Sequence, residues 1–244
     1  MGQSSRLPET KSTADSSTLA PALSQRERGK DWPGWRGPNR DGHVAWLPEQ
    51  LPAEANFLWR KKLTNQGLGG IAASGKYVVV VDRDLADATD IFHCFHAETG
   101  DELWTVKQIA PGRLDYGNSP RATPLIWENL AFLYGAFGHF HAVELATGKI
   151  VWQMDLRAQF GATDKLVWGM ASSPLIARGK LILSPGGKEA SLVAVEPRTG
   201  NVIWQTPGNP SAFASLVVGT LGGKQQLVGY DNVSLGGWDV STGK

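Results

Sequence analysis

The chain has 244 residues, 41% of them hydrophobic, with 24 basic against 23 acidic side chains and a formal net charge of +1. That even balance excludes the clustered basic footprint of a nucleic-acid partner, and the single cysteine, Cys94, excludes an internal disulfide and a cysteine-built zinc centre. No apolar run approaches the roughly 20 residues of a transmembrane helix, and the N-terminus lacks the apolar stretch of a secretion signal.

Residues 1–30 hold six serines and three threonines among scattered charges and almost no large apolar side chains. Such a segment buries too little to offset the entropy of ordering and is expected to be a disordered tail. From Asp31 the character changes to D-W-P-G-W-R-G-P-N-R-D-G, rich in tryptophan and turn residues, and a folded region spanning residues 31–244 is expected to start there.

Repetition then dominates. The pair T-G recurs at Gly100, Gly148, Gly200 and Gly243, at spacings of 48, 52 and 43 residues, a period that suits one blade of a β-propeller. Trp104, Trp152 and Trp204 each follow a repeat glycine by four residues, and Trp59 stands 45 residues before Trp104 as if closing an earlier unit. Four positions before the glycines stand His96, Glu144, Glu196 and Asp239; six before them stand the small residues Cys94, Ala142, Ala194 and Gly237.

Within one unit, Ala122 to Trp127, Leu130 to Tyr134, Phe140 to Glu144 and Ile150 to Gln153 read as four short strands, rich in β-branched and aromatic residues and bounded by Gly, Pro or Asn. The next unit repeats the pattern through Trp204, another falls on residues 71–106, and no segment reads as an amphipathic helix. The expected fold is therefore all-β: a propeller of four-stranded antiparallel blades, here about four to five of them.

Each motif residue has a structural task. The repeat glycine supplies positive φ in the hairpin between third and fourth strands. The acid before it accepts hydrogen bonds from the turn, so His96 marks a turn held differently. The tryptophan, on the outer strand, covers the junction with a neighbouring blade and can bury on the order of 150–250 Å².

A-V-E-L-A-T-G-K-I-V-W and A-V-E-P-R-T-G-N-V-I-W resemble the signature of the pyrroloquinoline-quinone (PQQ) repeat propellers, A-x-D/E-x-x-T-G-x-x-x-W, and W-P-G-W-R-G-P-N-R-D-G is similar to the entry segment of many bacterial members. The resemblance covers residues 31–244. It implies a ring of seven or eight blades, whereas this chain holds three full units and two partial ones and ends three residues before the next expected tryptophan; a truncated chain or gene fragment is expected. It also implies export to the periplasm or envelope, which this N-terminus does not itself encode.

The family includes quinoprotein alcohol dehydrogenases and outer-membrane-protein assembly lipoproteins, so fold does not choose the function. The dehydrogenases are expected to pair adjacent cysteines against the quinone, hold calcium and use an aspartate base. One cysteine cannot make that pair, and no catalytic residue or metal ligand is assigned on the motifs.

Two groupings invite a metal. His93 and His141 stand seven before their repeat glycines, with His139 on the same strand face as His141. Asp82, Asp84, Asp87 and Asp90 put four carboxylates in nine residues but without an EF-hand glycine and glutamate. Ordinary strand histidines and a solvated loop are the expected outcomes.

The connectors around residues 111–118 and 165–170 lead into innermost strands, where propellers build ligand funnels. On position alone, Arg113, Asp115, Tyr116, Asn118 and Trp168 are the candidate ligand contacts. Three functions stay open: a noncatalytic scaffold for a protein or small ligand, a PQQ- and calcium-dependent alcohol or sugar dehydrogenase, and an inactive fragment.

Overall fold

The computed structural model describes residues 31–44, 49–54, 56–165 and 167–244; the expected tail over 1–30 and Trp46 lie outside the described residues. Blade 1 is formed by β1 (Ala72–Ser74), β2 (Tyr77–Arg83), β3 (Thr89–His96) and β4 (Glu102–Ile109). Blade 2 contains β5 (Leu125–Trp127), β6 (Leu130–Tyr134), β7 (His139–Glu144) and β8 (Ile150–Asp155), and blade 3 contains β9 (Leu175–Ala177), β10 (Lys180–Leu183), β11 (Leu192–Val195) and β12 (Val202–Thr206). A last three-stranded sheet holds β13 (Val217–Leu221), β14 (Lys224–Tyr230) and β15 (Leu235–Asp239). All are antiparallel meanders in sequence order.

Central strands are buried on both faces, which explains near-continuous apolar runs. In β6, Leu-Ala-Phe-Leu-Tyr, every residue is buried. Alternation sends Leu130, Phe132 and Tyr134 into the seam with blade 3, alongside Leu181, Leu183 and Val193, while Ala131 and Leu133 join Val79, Phe92 and Cys94 in the seam with blade 1. A third cluster, including Leu192, Trp204, Leu216 and Leu227, joins blade 3 to the last sheet. Burial of each large side chain contributes roughly 1.5–3 kcal/mol, so the inter-blade seams carry the hydrophobic stabilisation.

The repeat motif works across these seams. Each tryptophan leaves the segment before a blade junction and docks on the next T-G turn. The indole N–H of Trp59 donates to Ala97 O at 2.8 Å, Trp104 to Leu145 O at 2.8 Å, Trp152 to Pro197 O at 2.8 Å and Trp204 to Val240 O at 3.2 Å. The rings lie over Gly100, Gly148, Gly200 and Gly243, whose φ angles are 73°, 72°, 74° and 73°. A Cβ at Gly148 would stand 2.8 Å from the Trp104 ring, so glycine is needed for backbone angle and close approach alike. A bulge at Cys94, Ala142 and Ala194 accompanies the turn in all three four-stranded blades.

The acidic position behaves as expected. Glu144 accepts from the Thr147 hydroxyl, Glu196 from the Arg198 amide, and Asp239 from the amides of Ser241 and Thr242. At His96 the imidazole Nδ1 accepts from the Glu98 amide at 3.4 Å, and Thr99 Oγ1 donates to Asp101 at 2.6 Å.

Two details depart from the sequence expectation. The first strand of blade 2 starts at Leu125 rather than Ala122, because Pro124 has no N–H and the Thr123 amide donates to Ser173 Oγ of blade 3 at 3.0 Å. One helical turn, α1 (Leu156–Gln159), follows β8; Asp155 caps it by accepting from the amides of Arg157 and Ala158.

The opening segment runs along the innermost strands. Trp32 pairs with Ala73 of β1, Pro33 O accepts from Ile126 N of β5 at 2.7 Å, and buried Arg40 donates to Ser173 O, Pro174 O and Leu216 O, at the starts of β9 and β13. Residues 32–40 thus touch all four sheets.

Candidate functional site

Connectors from an outer strand to the next innermost strand (111–124, 160–174 and 207–216) gather at one end of the blades, together with the turns between second and third strands. Backbone hydrogen bonds hold the middle connector: Asp115 N donates to Val167 O at 2.9 Å and Met170 N to Ala136 O at 2.8 Å. Trp168 sits between these clamps. Gly169, at φ 74°, passes so close to Ala136 that an added Cβ would lie 2.8 Å from its carbonyl oxygen.

Three aromatic rings from three connectors meet there. Trp168 lies 4.6 Å from Phe213 and meets Tyr116 edge-on at 6.5 Å, separations of attractive aromatic pairs. They remain 43%, 45% and 79% exposed respectively. Tyr116 holds the left-handed φ of 65°, uncommon for a residue with a Cβ, and Arg121 donates to the carbonyls of Asp115 and Gly117 on either side of it.

Beside the rings opens a cavity of about 210 Å³, with Phe213, Met170 and Pro210 as apolar wall and Arg157, Lys165 and Asn232 as polar rim. Arg157 NH2 donates to Asp164 O at 2.5 Å, which holds the guanidinium at this rim.

Of the five residues singled out by position, Trp168 and Tyr116 form the aromatic group. Asp115 supports it through its backbone, with an exposed carboxylate, and Arg113 is exposed on the same connector. Asn118 is turned inward: its carbonyl oxygen accepts from Leu114 N at 2.7 Å and its amide donates to Asp87 at 2.5 Å, a structural role. Phe213 and Arg157 were not singled out; neither belongs to the repeat, and no spacing in the sequence marks them.

The acidic loop is committed internally. Arg83, fully buried, donates to Asp87 at 2.6 Å and Asp90 at 2.5 Å and to the carbonyls of Asp87 and Ala110. Asp82 accepts from the amides of Thr64 and Asn65, which with Arg83 N hold its carboxyl below the ordinary range against the opposing effect of burial. Asp84 is lowered by the amides of Ala88 and Thr89. Burial pushes Asp90 up to about 6, although Arg83 opposes the shift.

Among the described residues no three of His, Cys, Asp and Glu come together as a metal-holding group. Cys94 is buried in the seam of blades 1 and 2, and desolvation pushes its thiol up to about 12.

The model of the family described as outer membrane protein assembly factor BamB matches residues 90–244. The chain belongs to this PQQ-repeat propeller family. Among curated relatives, the dehydrogenase subunit of the quinone alcohol dehydrogenase of Komagataeibacter europaeus is 27% identical over 60% of this chain and 21% of its own. The quinoprotein alcohol dehydrogenase PedH of Pseudomonas putida is 26% identical over 36% of this chain and 23% of its own. The chain thus spans less than a quarter of either curated relative. A europium-containing methanol dehydrogenase superposes with a TM-score of 0.53 at 16% identity, covering 72% of this chain and 40% of that one, a likeness of fold. No helix among the described residues is long and apolar enough to cross a membrane.

Proposed function

We propose that this PQQ-repeat propeller is a noncatalytic binding module of the cell envelope, and that the Tyr116–Trp168–Phe213 end receives a segment of a protein partner. The observation that carries this reading is the exposed aromatic group beside the 210 Å³ cavity. Small-molecule sites typically enclose about 300–1,000 Å³, so this cavity suits one inserted side chain better than a whole cofactor. Exposed aromatics with an arginine at the rim are the composition of interface hot spots. The family description, an outer membrane protein assembly factor, favours a protein partner and an envelope location.

A photo-crosslinking amino acid at position 168, in the native host, tests the reading. One discrete adduct is expected, lost when Tyr116→Ala and Phe213→Ala are added, and absent when the crosslinker stands at exposed Leu85. Quinone titration with calcium, together with substrate-dependent dye reduction, is expected to give no binding and no turnover; saturable quinone binding with turnover overturns the reading. Quinone-dependent alcohol or sugar oxidation is the second reading, favoured by the identity to two quinoprotein alcohol dehydrogenases; its quinone and calcium ligands would stand outside the described residues.

A further inference from the structure

The seam between blades 1 and 2 contains a polar site unrelated to the aromatic end. His139 and His141 lie on one face of β7, opposite Asp155 and Gln153 of β8 in the strand register. Alternation points that face toward blade 1, where Gln108 of β4 closes the other side. Gln108, His139, His141, Gln153, Met154 and Asp155 line an open groove of about 420 Å³.

The hydrogen bonding of these imidazoles is incomplete in one specific way. His141 is 2% exposed, and its Nε2 meets Gln108 Oε1 at 3.1 Å across the seam. A glutamine carbonyl can only accept, so Nε2 carries the proton and Nδ1 keeps its lone pair. That Nδ1 is buried without a partner, as is Nδ1 of His139 two residues away. One acceptor and a second imidazole nitrogen beside it have lost water and gained no partner, although buried polar atoms are otherwise almost always satisfied.

A cation that accepts lone pairs resolves this arrangement. A neutral imidazole nitrogen is the commonest protein ligand of such cations. The bond to Gln108 is the outer hydrogen bond that fixes the ring and tautomer of a metal-ligating histidine. Imidazole pairs suit zinc, copper and nickel, whereas calcium and magnesium prefer oxygen.

We propose that His139 and His141 are the two protein ligands of an open transition-metal site of the zinc and copper class in the seam between blades 1 and 2. No third histidine, cysteine or carboxylate joins them among the described residues, so the remaining coordination positions fall to water or a small donor entering the groove. Asp155 has one oxygen committed to the amides that start α1. Gln108 is a positioning residue, holding His141 from the neighbouring blade.

Copper(II) titration of the chelator-treated full chain, followed by electron paramagnetic resonance, tests the proposal. One saturable equivalent with hyperfine coupling to two nitrogens is expected. His139→Ala and His141→Ala should each remove one nitrogen coupling, and Gln108→Ala should keep both while weakening uptake about tenfold. Because His141 is deeply buried, the less buried His139 supplies the variant expected to fold, checked by circular dichroism. His43, His93 and His96 complete the five histidines of the chain, so His96→Ala and His93→Ala serve as controls and should leave the signal unchanged. No saturable uptake, or uptake unaltered in His139→Ala, overturns the proposal.

Discussion

Truncation of Trp104 to alanine should be the most damaging single change in the repeat motif. Its ring is 7% exposed, lies over Gly148 of the next blade and donates to Leu145 O at 2.8 Å. Loss of a buried tryptophan costs about 3–5 kcal/mol, a large share of the roughly 5–15 kcal/mol that holds a domain folded. Trp104→Phe keeps most of the ring but leaves the Leu145 carbonyl without its donor, for about 1–3 kcal/mol. Gly148→Ala meets two penalties. The left-handed φ of 72° costs alanine about 1–2 kcal/mol, and the new methyl would collide with the ring 2.8 Å away. In the double variant Trp104→Ala/Gly148→Ala the collision disappears, so the combined loss should fall short of the sum by roughly 0.5–3 kcal/mol. Urea unfolding followed by far-UV circular dichroism, fitted for midpoint and slope, compares the four variants with the parent chain. A Trp104→Ala loss below about 1 kcal/mol, or strict additivity in the double variant, would refute the idea that the indole-on-glycine contact fastens neighbouring blades.

Asp90 should give stability an unusual pH profile. Its folded value of about 6 lies above the ordinary aspartate value of 3.8, so between those values the folded state binds more protons and stability falls as pH rises through the window; Asp82 and Asp84, held low, act oppositely and lose stability only as pH drops through their depressed values. Asp90→Asn should flatten the slope between about pH 4 and 6 in urea midpoints, and an unchanged slope would remove Asp90 as its source. Arg40→Met strips the guanidinium from the carbonyls of Ser173, Pro174 and Leu216; breaking buried charged hydrogen bonds should cost about 3 kcal/mol or more, and limited proteolysis should then cut within residues 32–43. Trp168→Ala, at a half-exposed ring, should shift the urea midpoint by no more than about 0.5 kcal/mol in stability terms while abolishing the partner adduct of a crosslinker placed instead at Lys165 on the cavity rim; a larger stability loss would make that ring structural.

What could be read in the sequence is what the blades copy. Gly148 and Trp104 announce themselves because the same pair of demands, positive φ and a flat surface under an indole, recurs at Gly100, Gly200 and Gly243. A second copied device is also present in the sequence. Thr123-Pro124-Leu125 and Ser173-Pro174-Leu175 keep the blade period, and their hydroxyl positions link innermost strands in series: Thr123 N donates to Ser173 Oγ, and Ser173 N to Ser215 Oγ. Arg40 could not be read this way, because its partners lie 133 to 176 residues away and involve backbone carbonyls that no side-chain pattern encodes. The aromatic end is harder still. Tyr116, Trp168 and Phe213 occupy unrelated places in connectors of different lengths, and they meet only because successive blades return the chain to the same end. Repetition reveals the scaffold because every blade must solve the same packing problem. A site that works once per molecule breaks the repeat, so residues that depart from the period, His139 included, are where experiments on function should begin.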